Sequence, residues 1–396
     1  KINELKISFP DISTDLLLEI LLSCNGSVKQ SKHLLYESIP NKKRKLNSDN
    51  INNTIYQSTL KDIFHFKSKE IEKKINSNII TLYDKNDVEK ALSPYVTFHK
   101  NFLPQELSNS ILKYILYENT IQDAFTNKEF YIFDKKCKSS HLTSIFSSNE
   151  DFITGKNKLF YYAKKSNNIK KYNNDLLIAQ LLVEDIVNKE ILKYSNKQIY
   201  PFLDKNQFSG EVAFINKYEN EYQHLDWHSD ILTYIGPHCV IASLSLGVKR
   251  EFKFKKKCDE KNNLIYSIPL PHNTLCIMHA GCQEIFKHCI TKSNLPINSH
   301  PISGKTRINI TYRSYRKDFI NNIPKCKCGI DMALKICYKN IKNRGRYFWS
   351  CEGTYQNNSC YDFYWADFND KKLITKDYNK CSIWFENDNQ KTINFN

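Results

Sequence analysis

Trp227-His228-Ser229-Asp230, answered far downstream by Arg307-Ile308-Asn309-Ile310-Thr311-Tyr312-Arg313, is the part of the chain on which its fold turns. A non-haem Fe(II) that activates O2 needs two histidines and one carboxylate on one face, with the other positions open. A His-x-Asp at a strand end supplies two such donors, and the third must arrive from a distant strand. His228, Asp230 and His288 fit that requirement. On spacing alone, His224-Leu225-Asp226 competes with them.

The 396 residues allow about two to three domains. Lys and Arg number 58 against 42 Asp and Glu, a net charge of +16. Such a surplus favours a polyanionic partner, because each phosphate neutralised releases counterions. No apolar run approaches the roughly 18 to 20 residues that a spanning helix needs, so no membrane partner is expected. The 13 cysteines are odd in number and scattered, and no secretory signal opens the chain. A reducing compartment is expected, with zinc rather than disulfides explaining the clustered thiols. Cys276 and Cys289 read as small buried hydrophobes.

Residues 1–38 read as a helical module. Phe9-Pro10-Asp11 makes a turn, Thr14 or Asp15 caps a helix with Leu16, Leu17, Ile20 and Leu21 on one face, and a second helix ends in Leu34-Leu35. Residues 39–92 read as a polar linker, too poor in apolar residues to fold alone. Within it, Lys42-Lys43-Arg44-Lys45 is a basic cluster of the nuclear-import kind. Residues 93–319 are globular: helices over 103–117 and 178–194, then short strands at 211–216, 240–246, 250–255, 275–279 and 307–312. That rhythm suggests a sandwich or barrel. In residues 320–370, Cys326, Cys328, Cys351 and Cys360 offer four thiolates for a closed structural Zn2+ site. Basic and aromatic residues interleave there, which suits a single strand of nucleic acid, with Arg346 as the expected phosphate contact. Residues 371–396 read as a tail.

Asn216-Lys217-Tyr218, Trp227-His228-Ser229-Asp230, Ile241-Ala242-Ser243-Leu244-Ser245-Leu246-Gly247 and Arg307 to Arg313, in that order, resemble the AlkB family of nucleic-acid dealkylases. The resemblance implies an α+β class with a mainly β core: a double-stranded β-helix (jelly roll) dioxygenase with flanking helices. It implies His228, Asp230 and His288, not His224 or Asp226, as the Fe(II) ligands. Arg307 then holds the far carboxylate of 2-oxoglutarate in a bidentate fork, with Tyr218 as a second donor. Asn216, Asn309 and Arg313 line the cosubstrate pocket, Arg313 nearer the iron. The implied reaction turns 2-oxoglutarate into succinate and carbon dioxide and releases an N-methyl group as formaldehyde. One departure stands out: Ile231 and Leu232 occupy positions where the best-known relatives carry an acid that holds the cationic base.

Three further resemblances flank this one. Phe9-Pro10 and the di-leucine are similar to a CUE domain, which implies ubiquitin as a partner. Gln57-Ser58-Thr59-Leu60-Lys61-Asp62-Ile63-Phe64 resembles a sliding-clamp peptide, with Ile63 departing from its aromatic pair. Residues 326–368 resemble a GRF-type zinc finger. The order of modules, and Thr233-Tyr234-Ile235-Gly236-Pro237 after the iron Asp, look like fungal AlkB members. The expected function is oxidative demethylation of alkylated bases in DNA, single-stranded or locally opened, as repair in the nucleus. The alternatives are an RNA demethylase and a non-catalytic scaffold for ubiquitin and nucleic acid.

Overall fold

A computed structural model describes residues 1–10, 14, 17, 21, 27–29, 31–32, 78–132, 135–156, 160–161, 164–165, 168–195, 200–257, 264–293, 296–351, 360 and 362–384. The basic cluster at 42–45, the clamp-like peptide at 57–64 and Leu34-Leu35 lie outside the described residues. The chain divides into two compact units, 1–66 and 67–396.

In the first unit, α1 (Ile2–Ser8) precedes the expected turn. Thr14, Leu17 and Leu21 are helical, spaced to share one face. Leu5, Phe9, Leu17 and Leu21 bury together, with Ile2 and Val28 against them. Lys32 pairs with Glu4 at 3.3 Å.

The second unit begins with β1 (Ile79–Thr81), α2 (Lys85–Leu92), β2 (Val96–Lys100), α3 (Gln105–Tyr117) and α4 (Asn119–Gln122). Next come β3 (Thr126–Ile132), β4 (Lys135–Ser147), α5 (Glu150–Ile153), β5 (Phe160–Tyr161), β6 (Lys164–Lys165), β7 (Ile169–Lys171) and α6 (Asn174–Ser195). There follow β8 (Val212–Tyr218), β9 (Leu225–His228), β10 (Ile241–Gly247), β11 (Arg250–Lys256), β12 (Ile265–Leu270), β13 (Thr274–Met278), α7 (Cys282–Ile285), β14 (Phe286–Ile290), β15 (Arg307–Arg313) and α8 (Lys317–Ile320). The C-terminal module holds β16 (Met332–Ile336), β17 (Tyr347–Cys351), β18 (Phe363–Ala366) and β19 (Ile374–Thr375).

An eight-stranded sheet runs β2-β13-β10-β15-β8-β4-β3, with β7 beside β4. A five-stranded sheet runs β1-β12-β11-β14-β9. Period-two alternation gives the large sheet two apolar faces. Leu275 and Ile277 of β13 join Ile308, Ile310 and Tyr312 of β15 under Ile111 and Leu112 of α3 and Ala179 and Val183 of α6. Cys276 and Met278 point the other way, into a cluster with Phe252 and Phe254 of β11 and Ile268 of β12. Helices therefore cover one face of the large sheet and the smaller sheet covers the other.

The expected double-stranded β-helix or jelly roll is corrected by these strand paths. Each sheet is a linear order with two ends, β2 and β3 in one and β1 and β9 in the other, and none closes into a barrel. The fold is mixed α+β with several sheets. Strand rhythm counts strands, but closure depends on which edges pair, and no local pattern encodes that. The stretch read as linker also yields structure: β1 pairs in parallel with β12, and Asp84 caps α2 by accepting from the Asp87 N–H, so that Val88 and Leu92 are buried. At the other end, packing continues past residue 370, since Leu373, Cys381 and β19 belong to the C-terminal module.

Ile310 is fully buried between helices and sheet, so Ile310→Ala should destabilise the fold by about 2–5 kcal/mol. Leu192→Ala, at a side chain 69% exposed on α6, should stay within about 0.5 kcal/mol. Urea unfolding of the two variants reads the difference.

Candidate active site

β9 ends on His228, and β14 pairs with it so that His288 stands directly opposite. Asp230 follows two residues later. Its Oδ1 lies 3.6 Å from His228 Nε2 and 3.7 Å from His288 Nε2. The His228 Nδ1 sits 2.8 Å from the Asp226 carbonyl. With its proton donated there, the Nε2 lone pair faces the cluster. The other carboxylate oxygen, Oδ2, accepts from Arg313 Nε and Nη2, each at 2.7 Å. Asp230 N–H donates to Gln283 Oε1 at 2.8 Å. Burial pushes the Asp230 carboxyl up, but Arg313, His288 and His228 outweigh it and hold the group at about 2. Burial drives both imidazoles down, His288 well below the usual histidine range. One carboxylate and two neutral imidazoles are the protonation states that metal ligands need. The rival pair stays outside this cluster: Asp226 is 91% exposed, and His224 turns to the Tyr222 carbonyl and Ser140.

Beside the cluster, β15 presents Arg307, Asn309, Thr311 and Arg313 on one face. Arg307 is 1% exposed. Its Nη2 donates to Ser245 Oγ at 2.8 Å and Asn309 Oδ1 at 2.9 Å, while Nε and Nη1 are buried without an acceptor. The Tyr218 ring lies 5.3 Å from the guanidinium carbon, and register places Tyr218 opposite Arg307 and Asn216 opposite Asn309. Thr143 donates to Asn216 at 3.0 Å and Ser243 to Asn309 at 2.9 Å, which fixes both amides. Burial pulls the Arg307 pKa down to about 10, so it remains a cation at neutral pH. A buried cation next to Tyr218 with no carboxylate partner fits an incoming dianion. The donor set and Arg307 therefore fit iron and 2-oxoglutarate.

All eight residues read from the sequence for this centre are thus brought onto neighbouring strands and the turn after β9. Sequence reading missed Gln283, Ser243, Ser245 and His141. His141 stacks on Tyr218 with ring centroids 4.8 Å apart, and burial above all holds it near 4, hence neutral. Ser243 and Ser245 lie in the quoted 241–247 stretch but received no role there, while Gln283 and His141 carry no local pattern that would reveal them. A cavity of about 130 Å3, lined by His141, Asn216, His228, Asp230, Tyr234 and Tyr315, opens over the cluster. A larger groove of about 1690 Å3 meets it at Arg313 and Tyr315.

Elsewhere, Cys326 Sγ lies 3.0 Å from Cys328 Sγ and 3.2 Å from Cys360 Sγ, and Cys328 lies 3.5 Å from Cys351. Arg346 stands apart from both clusters. Its guanidinium lies 3.8 Å over the Tyr378 ring and donates to the Tyr378 carbonyl at 3.0 Å.

A family model for the 2OG-Fe(II) oxygenase superfamily matches residues 95–313. The chain belongs to that superfamily. It is similar to alpha-ketoglutarate-dependent dioxygenase alkB homolog 3 of Bos taurus, 38% identical over 109 residues, covering 26% of this chain and 36% of that protein. The same protein of Homo sapiens is 37% identical over the same shares. The DNA oxidative demethylase ALKBH2 of Arabidopsis thaliana is 28% identical over 145 residues, 32% of this chain and 42% of that one. The matched stretch thus spans well under half of each relative's length.

Superfamily membership makes Fe(II) and 2-oxoglutarate the cofactor and cosubstrate, and their reaction with O2 supplies the oxidising power. The chain's own residues orient and protect. Arg313 fixes one carboxylate oxygen of Asp230 and leaves the other to the metal side. Arg307, at the far end of the polar row, is the residue that would hold a carboxylate of the cosubstrate.

His228→Ala, Asp230→Ala and His288→Ala should each lose Fe(II), whereas His224→Ala should keep it; anaerobic titration calorimetry decides. Arg307→Ala should leave Fe(II) binding nearly intact but raise the 2-oxoglutarate requirement roughly 30- to 150-fold, as a charge-assisted pair contributes about 2–3 kcal/mol. An unchanged 2-oxoglutarate affinity would remove Arg307 from the anchor role.

Proposed function

We propose that this chain removes alkyl groups oxidatively from nucleobases, preferring single-stranded DNA, as damage repair in the nucleus. The observation that carries the reading is the three-donor cluster of His228, Asp230 and His288, with the buried Arg307 further along the same face of β15 as Arg313, in a chain similar to an alkB homolog and a DNA oxidative demethylase. His228, Asp230 and His288 hold the iron; Arg307, Tyr218, Asn216, Asn309 and Arg313 hold 2-oxoglutarate. The net charge of +16 supports a polyanionic substrate. On the smaller sheet, Lys253 and Lys255 alternate with buried Phe252 and Phe254, and Lys287 stands opposite Lys255. The Lys255 ammonium lies 4.4 Å over the Trp227 ring.

The four cysteines hold Zn2+, since a tetrahedral ion about 2.3 Å from each sulfur needs all four thiolates within one such cluster. The outward face of the C-terminal sheet offers stacking surface. Phe363 is 52% exposed; Trp365 lies 5.6 Å from it and 5.5 Å from Tyr378, where Arg346 rests. A strand passing there would find bases stacked on rings and a cation for its phosphates. Ubiquitin binding by residues 1–38 and clamp binding by 57–64 are proposed recruitment functions resting on the sequence likenesses alone.

Formaldehyde release from oligonucleotides carrying 1-methyladenine or 3-methylcytosine tests the reaction. It should appear only with Fe(II), O2 and 2-oxoglutarate, and faster on single-stranded DNA than on RNA of the same sequence. Faster release from RNA would select the RNA demethylase reading, and turnover on neither would sink both.

In the full chain, Phe363→Ala should weaken single-strand binding roughly 5- to 150-fold, since a stacked base contributes about 1–3 kcal/mol. Arg346→Glu should flatten the salt dependence by about 0.7 or more in slope. Fluorescence anisotropy at two salt concentrations reads both, and unchanged binding would assign the module another role.

A further inference from the structure

We infer that the four-cysteine module is a bracket for the iron site, with Thr233, Glu284 and Tyr347 as positioning residues, so that the two metal sites are coupled. This rests on the reading of His228, Asp230 and His288 as iron ligands and of the cysteines as zinc ligands. It assigns the module a duty that a tethered recruitment finger does not have.

The cysteines close one end of the β16–β17 hairpin. Cys351 at the end of β17 pairs in register with Met332 at the start of β16. The turn carrying Cys326 and Cys328 feeds directly into β16, tied by Cys326 N–H to the Ile330 carbonyl at 3.0 Å and Gly329 N–H to the Cys326 carbonyl at 2.9 Å. Fastening the four sulfurs thus fixes where Leu334 and Tyr347 stand on the same hairpin.

Both residues reach the surroundings of Asp230. Leu334 N–H donates to Thr233 Oγ at 3.0 Å, and Thr233, 2% exposed, lies three residues beyond Asp230. Tyr347 O–H donates to Glu284 Oε1 at 3.3 Å. The same oxygen accepts from the His238 N–H at 2.8 Å, which ties α7 to the far end of the loop that follows Asp230. The neighbour of Glu284 in α7 is Gln283, which receives the Asp230 N–H. Gly281, just before α7, has φ +83°, and a Cβ there would come within 2.9 Å of Trp384, so the module's last described residues press on the start of α7. Leu232, Ile235, Leu334, Tyr347 and Trp349 share one buried cluster.

Other ties of the loop lie elsewhere. Arg316 N–H donates to the Tyr234 carbonyl at 2.9 Å, and Gly236 N–H to the Leu232 carbonyl at 2.7 Å. Neither fixes Thr233; Gln283 is held in addition by Lys257 Nζ on its carbonyl at 2.6 Å and by its own Nε2 on Met278 Sδ at 3.4 Å, so Thr233 is the flank that depends most on the module. A hairpin allowed to open strands the buried Leu334 N–H, frees the Thr233 flank of the ligand carboxylate and loosens the Glu284 end of α7. Since coupling between sites is reciprocal, zinc-module integrity and iron affinity should move together.

The test uses the full zinc-loaded chain without oxygen. Fe(II) is titrated in the presence of 2-oxoglutarate and followed by the visible absorption band of their chelate. Thr233→Val keeps shape but removes the acceptor, and should raise the Fe(II) dissociation constant roughly tenfold. Thr233→Ser should return it towards the unmutated value. Tyr347→Phe keeps the buried ring and should weaken Fe(II) by a smaller factor. Elemental analysis and thermal melting confirm that each variant retains zinc and fold. Equal dissociation constants for Thr233→Val, Tyr347→Phe and the unmutated chain would overturn the bracket while leaving the iron assignment intact. An unmutated chain that forms no such band would instead overturn the iron assignment, and this inference with it.

Discussion

A carboxylate that is 7% exposed must be paired or it will not stay charged, and Asp230 is that carboxylate. Its pairing divides the two oxygens. Arg313 occupies Oδ2 with two donors, and two imidazole nitrogens gather round Oδ1. Each partner comes from a different element: β15 for Arg313, β14 for His288 and β9 for His228. One anion therefore ties strands of both sheets together. A slip of one residue in β15 would turn Arg313 into the helical layer and leave Asp230 without its cation.

The same logic explains why a polar row runs between sheets that otherwise pack as oil. Arg307, Asn309 and Thr311 alternate with Ile308, Ile310 and Tyr312, so one strand serves the helical core and the cosubstrate pocket at once. Ser243, Ser245 and Thr143 answer the row from β10 and β4 and offset the desolvation of its amides. Arg307 keeps Nε and Nη1 without an acceptor on this row, a cationic surplus that would suit a dianion.

Much of this was legible in the chain. The predicted strands at 211–216, 240–246, 250–255, 275–279 and 307–312 lie within a residue or two of β8, β10, β11, β13 and β15, because alternation is a local signal. His-x-Asp, a distant His and four cysteines were visible as residue types at revealing spacings. What stayed hidden is made by long-range pairing. The addition of β1 to the edge of the small sheet, the open ends of both sheets and the Asp230–Gln283 bond join residues far apart in sequence, and neither partner alone betrays the contact. Choosing between the two His-x-Asp pairs needed the family likeness; in the structure the choice follows from which carboxylate is buried.

The C-terminal module shows how a small sheet can serve two ends. Its own apolar content is modest, so it borrows a core: Tyr347 and Trp349 are fully buried in the cluster that also holds Leu232 and Phe319, and Trp349 Nε1 donates to the Leu373 carbonyl at 2.7 Å. Period-two alternation then places the intervening residues on the other face, where Phe348 stands beside Trp365 and Ser350 beside Phe363. Inward rings fasten the module to the loop that follows Asp230, and the outward face keeps rings such as Phe363 exposed. A substitution on the inward face should therefore act through the iron centre and one on the outward face through substrate affinity, although both lie on the same two strands. Position along the strand, odd or even, decides which face of the module a residue serves.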